Sequence, residues 1–93
     1  MQRSEILNKA NQIVNGEREQ AYGSPEDNFS VIATMWGAYL ETQVTSADVA
    51  VMMILLKAAR IASGTGSEDN WIDIAGYAAC GGEIQTRDTS TMK

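Results

Sequence analysis

Histidine is absent from the chain, and cysteine and proline occur once each, as Cys80 and Pro25. Without histidine, the serine–histidine and cysteine–histidine pairs that activate a nucleophile cannot be assembled. A lone cysteine excludes an intramolecular disulfide and any cysteine-rich zinc site. Long apolar runs are missing as well. The longest, from Val49 to Leu56, is eight residues, far short of the ~20 that span a bilayer. The opening MQRSEILNKANQ has no apolar signal core. Positive charge is scarce, with seven Lys and Arg against twelve Asp and Glu, a net charge of −5. Duplex nucleic acid is bound through cations that neutralise phosphates, so it is a poor partner here. These absences predict a reduced, cytoplasmic protein with neither a membrane nor a duplex for a partner.

What is present is ordinary globular composition, 44% apolar and 20% charged over 93 residues. That is enough for one small domain, residues 1–93, with a core over about 3–85 and a polar C-terminal tail. The periodicity is helical throughout. Ile6, Leu7, Ala10, Ile13 and Val14 form one amphipathic stripe, which predicts a first helix at about 3–15 ended by Gly16. Ser24 and Pro25 open a second helix at about 25–41, with Glu26 and Asp27 at the positive end of its dipole. This helix carries Phe29, Ile32, Ala33, Trp36 and Leu40 on one face, and Val31, Met35 and Tyr39 on a second apolar flank.

Thr45 with Asp48 reads as a capping box opening a third helix at about 46–62. Its run VAVMMILL is apolar nearly all round, which predicts the buried centre of the domain. The stretch Ser63-Gly64-Thr65-Gly66 stops it, and Ser67 to Asn70 open a fourth helix at about 68–85. There Trp71, Ile72, Ile74, Ala75, Ala78 and Ala79 are expected to face inward, while Gly81-Gly82 weakens the last turns. The expectation is all-α: a compact four-helix bundle. The second apolar flank and the small residues of the fourth helix point to assembly as a homo-oligomer, since a chain this short cannot easily cover both.

Chemistry concentrates in two places. Folding the third and fourth helices antiparallel brings Lys57 near Asp73, and Arg60 near Asp69 and Asn70. Asp69, Asp73, Gly76 and Tyr77 share one side of the fourth helix. Such a cluster is either an ion-pair network closing a helical hairpin or a phosphate or metal site. The second place is the stretch from Glu17 to Phe29. Its helix N-terminus, at Ser24 to Asn28, offers free N–H groups to an anion, and Tyr22 could stack on a base. Equally, Gly-Ser-Pro-Glu-Asp is a good helix start and nothing more. Trp36 and Trp71 read as core, Met35, Met52 and Met53 as gap-fillers or part of an interface, and Cys80 as a small buried hydrophobe.

The motifs from Tyr22 to Phe29, Trp36 to Leu40, Asp48-Val49-Ala50, Lys57-Ala58-Ala59-Arg60 and Asp69 to Ala78 resemble a family of small proteins encoded by bacteriophages and prophages, over roughly 15–84. That family in turn is similar to the MazG-like all-α nucleoside triphosphate pyrophosphohydrolases, which implies Mg²⁺ held by a Glu-Glu-x-x-Glu motif and a later Glu-x-x-Asp. This chain has no Glu-Glu-x-x-Glu, and the later motif is reduced to Asp69 and Asp73. The reading is therefore a phage protein in the bacterial host cytoplasm that binds a small nucleotide without cleaving it, a host immune signalling nucleotide being one such ligand. Its ligand-binding residues are Lys57, Arg60, Asn70, Asp73, Tyr22, Tyr77 and Asn28, with no cofactor. The alternative is a Mg²⁺-dependent pyrophosphohydrolase using Glu26, Asp27, Asp69 and Asp73 as metal ligands. A phage interaction module with no small ligand is the third reading.

Overall fold

The computed structural model describes residues 1–17, 23–64, 66 and 68–89. Helix α1 spans Arg3–Gln12, α2 Pro25–Leu40, α3 Ser46–Ala62 and α4 Asp69–Thr89. Among the described residues there is no strand, so the all-α expectation stands. Ser24 and Thr45 cap as their sequence contexts require. The Asp27 N–H donates to Ser24 Oγ at 3.3 Å, and Thr45 and Asp48 exchange backbone-to-side-chain bonds of 3.0 and 3.1 Å.

Helix α2 ends differently from a glycine-capped helix. Glu41 takes the left-handed conformation, φ 56°, and the Thr42 N–H donates to Gly37 O. The returning chain passes so close that a β-carbon on Gly37 would lie 2.8 Å from Thr42 O. The glycine therefore sits inside the last turn, where close approach demands it, and not at the left-handed position beyond it.

Gly16 does not end the first helix. The chain widens there into a π-turn, Ile13–Glu17, that keeps Val14 against α4. A β-carbon on Gly76 would lie 3.2 Å from Val14 Cγ1, so the two elements meet where α4 has no side chain. Helix α1 packs on α4 and on no other helix to a comparable degree.

The core is Phe29, Ala33, Val49, Ala50 and Ile84, flanked by half-buried Ile32, Trp36, Val44, Met53, Tyr77 and Cys80. Val49 is fully buried. Three expectations need correction. Trp71 is 55% exposed, because Asn70 and Ile72 on either side of it take the inward positions. At 3.6 residues per turn, the residue between them points away, and Ala78 and Ala79 are exposed with it.

Helix α4, expected to end near residue 85, runs on through Gly81-Gly82 to Thr89. Gly81 is buried against Ala50, and Ile84 beyond it is buried in the core, so packing overrides the low propensity. Helix α3 is not buried all round in the single chain. Val49 and Ala50 face inward, but Val51, Met52, Leu55 and Leu56 are open to solvent. The flank of α2 formed by Val31, Met35 and Tyr39 is open too, as the two-flank pattern predicted. No described helix is long and apolar enough to cross a membrane.

Candidate functional site

The antiparallel α3–α4 hairpin, turned through Gly64 and Gly66 at φ 75° and 94°, brings Lys57 Nζ to 3.0 Å from Asp73 Oδ2. This is the pairing the spacing predicted. Lys57 is largely buried on the side facing α4, its side chain 14% exposed. The pair stands in the wall of a cavity of about 140 Å³. It is walled by Ala10 of α1 with Ile13 and Val14 of the π-turn, by Gly23 with Pro25, Asn28 and Phe29 of α2, and by Ile72, Asp73, Gly76, Tyr77 and Cys80 of α4. Phe29 and Tyr77 meet as a tilted ring pair with centroids 6.1 Å apart, within the range where such pairs attract.

Four of the residues chosen from the sequence therefore converge: Lys57, Asp73, Asn28 and Tyr77. Arg60 and Asn70 do not line the cavity. Arg60 lies one turn further along α3 and is exposed, while Asn70 is buried with its amide against Gly66. Tyr22 falls outside the described residues, as do Glu19, Thr65 and Ser67. Sequence reasoning missed the part of α1. Ala10, and Ile13 and Val14 in the π-turn that follows, were read only as part of an amphipathic stripe, and they form the apolar wall of the cavity. Cys80 was read as buried and is instead half-buried along the same wall. The available signal was small size: Ala10, Gly76 and Cys80 together cannot fill the space between two helices.

The carboxylates proposed as metal ligands do not come together. Glu26 is held by Arg87, whose guanidinium also reaches Glu83 at 3.4 Å. Asp73 is occupied by Lys57, while Asp27 and Asp69 are exposed. Among the described residues no three acidic or cysteine side chains are grouped as a metal site. A hard divalent cation requires several converging oxygens, and the described residues do not supply them.

Glu26 titrates below its ordinary value of 4.5. Its hydrogen bond to a backbone N–H at the helix start is the main cause, opposed by partial burial and helped by Arg87. A carboxylate with a lowered folded value stabilises the fold above its unfolded value and loses that contribution as the pH falls through the folded one. Urea midpoints measured from about pH 6 down to about pH 3 should therefore fall less steeply in Glu26→Gln than in the parent chain. The difference should be under ~1 kcal/mol for a pair this open. Parallel profiles would show that Glu26 carries none of the acid sensitivity.

Fold and cavity together define a small all-helical protein with a half-enclosed pocket, apolar on most sides and carrying one ion pair. The chain belongs to the family described as a domain of unknown function (DUF6378), whose model matches residues 5–85. Its curated relatives are phage proteins. It is 46% identical over 76 residues to the Gene 55 protein of Mycobacterium phage D29, covering 81% of this chain and 50% of that protein. It is 51% identical over 74 residues to the Gene 55 protein of Mycobacterium phage L5, covering 78% and 47%. The chain thus spans about half the length of the curated relatives it matches. No solved structure matches it.

Proposed function

We propose that the protein captures a small nucleotide in the cavity between α1, α2 and α4 and releases it uncleaved. The observation that supports this reading is the convergence of Lys57, Asp73, Asn28 and Tyr77 on one mostly apolar pocket. A few placed polar groups in an apolar wall is the usual make-up of a small-molecule site. The Asn28 amide has donors and acceptors for the edge of a base, and Tyr77 with Phe29 supplies aromatic surface. Lys57 offsets phosphate charge, and exposed Arg60 extends that cation supply to phosphates outside the cavity. The protein acts in the host cell as a homo-oligomer, supported by the open apolar flanks of α2 and α3. A host immune signalling nucleotide is one ligand of this class that a phage protein would meet in the host cell.

Replacing Lys57 with methionine keeps the length and removes the charge, and should weaken binding at least about tenfold, ~1.4 kcal/mol. Calorimetry with folding confirmed by circular dichroism measures it. The decisive experiment incubates the protein with nucleoside triphosphates, cyclic dinucleotides and ADP-ribose-type signals, with and without Mg²⁺. Heat denaturation and chromatography then identify what is released. Intact ligand is the expected result. Metal-dependent formation of monophosphate and pyrophosphate would overturn capture in favour of the MazG-like pyrophosphohydrolase reading. Failure of every probe to bind would leave the interaction-module reading.

A further inference from the structure

The outer surface of α3 is a helix face without a partner in the single chain. Val51, Met52, Leu55 and Leu56 are 51%, 38%, 62% and 44% exposed, and Ala58, Ala59 and Ala62 are exposed beside them. Between Val51 and Ala59 the sole charged residue is Lys57, and it turns into the cavity toward Asp73. A helix apolar on every side belongs in an interior, and here half of that interior is missing.

We infer that α3 packs antiparallel against the α3 of a second copy, across a two-fold axis near Leu55. Three features of the face select this occupant. The first is spacing: Met52, Leu55, Ala59 and Ala62 recur at intervals of three, four and three residues, the seam of a helix that packs lengthwise on another helix. The second is self-complementarity. The N-terminal half of the face is large, with Val51 and Met52, and the C-terminal half is small, with Ala58, Ala59 and Ala62. Reversing one copy about Leu55 sets Met52 opposite Ala58 of the partner subunit and Val51 opposite Ala59 of the partner subunit, large into small, on both sides of the axis. A two-fold contact requires a patch that fits itself in this way.

The third feature is area. Seven large apolar side chains, Val51, Met52, Leu55 and Leu56 on α3 and Val31, Met35 and Tyr39 on α2, are each at least 38% exposed, enough to supply much of the ~800 Å² per partner that a stable interface buries. Between Val51 and Ala59 the face carries no charge of either sign, and the exposed Asp48 one turn before Met52 comes opposite Ala62 of the partner subunit, so two copies at net charge −5 can meet there without opposing like charges. A partner chosen by electrostatic complementarity would find nothing on it to read.

This inference rests on the homo-oligomer reading above and not on the nucleotide. Light scattering at micromolar concentration should give twice the chain mass of 10.1 kDa. Leu55→Lys should give the single-chain mass with its helical circular dichroism retained. Leu7→Lys, at a residue 63% exposed on α1, should leave the assembly intact. As a readout that does not depend on tolerating a charge, Leu55→Cys should form a cross-linked dimer under mild oxidation. Leu7→Cys and the parent chain with Cys80 alone should not. A single-chain mass for the parent protein would overturn self-association altogether. An assembled parent whose mass Leu55→Lys leaves unchanged, or whose Leu55→Cys form does not cross-link, would overturn this face. Nucleotide binding by the Leu55→Lys single chain reports on capture separately, so the two readings fail by different measurements.

Discussion

Replacing Phe29 with alanine should lower the unfolding free energy by about 3–5 kcal/mol, the largest single effect expected in the chain. Phe29 is 3% exposed. It stands in the core with Ala33, Val49, Ala50 and Ile84, and its ring is also the partner of Tyr77. Alanine therefore forfeits the transfer energy of the ring, leaves a void and unpairs a second aromatic at once. The void would open onto the existing cavity, so its walls have little else to relax against. In a domain this small, 1 kcal/mol moves the melting temperature by roughly 4–8 °C, which puts the expected drop near 15–30 °C. Thermal and urea unfolding followed by circular dichroism measure it. A loss below about 1 kcal/mol would mean that the ring is not part of the core.

The second expectation concerns two adjacent glycines that should respond with opposite signs. Alanine in a helix interior is favoured over glycine by roughly 1 kcal/mol. At Gly82, with nothing within 4 Å of a β-carbon, Gly82→Ala should gain about 0.5–1 kcal/mol of that. At Gly81 the same methyl would lie 2.6 Å from Ala50 Cβ. Real carbons do not approach so closely, and Ala50 is a fully packed, one-atom side chain that cannot turn aside. Helix α4 must then shift away from α3, at a cost of about 1–3 kcal/mol. Gly81→Ala should come out net destabilised by about 1–2 kcal/mol despite its better propensity. Paired melting curves decide it, and shifts of the same sign in both variants would refute the close approach.

These two glycines also show where the sequence stopped being legible. Local signals were sufficient for the helices whose ends are chemically marked. The α2 start at Ser24-Pro25 and the Thr45–Asp48 box place their helices because capping is settled within four residues. Lys57 and Asp73 could be paired from antiparallel register alone. Gly81 could not be assigned, because its role depends on Ala50, thirty-one positions away, and intrinsic propensity alone predicted a weakened turn. Trp71 was misplaced for a related reason. Helix α4 has apolar residues on more than one side, so its periodicity does not select a face, and buried Asn70 is a polar residue that the pattern assigns outward. The cavity was half visible. Its polar members were found by spacing, while the α1 wall was hidden because an apolar stripe lining a void looks the same as one lining a core.

Helix α1 and the π-turn that continues it form one wall of the cavity, through Ala10, Ile13 and Val14, and are anchored chiefly along α4. This division of labour bears on time as well as on affinity. A wall fastened along one seam opens at a lower free energy than the closely packed α3–α4 hairpin, since local opening scales with the contacts that must be released. The polar groups on α2, α3 and α4 would then govern how strongly an occupant is held, while α1 would govern how long it takes to come and go. Residence time and affinity would be separable properties of this molecule, carried on different helices.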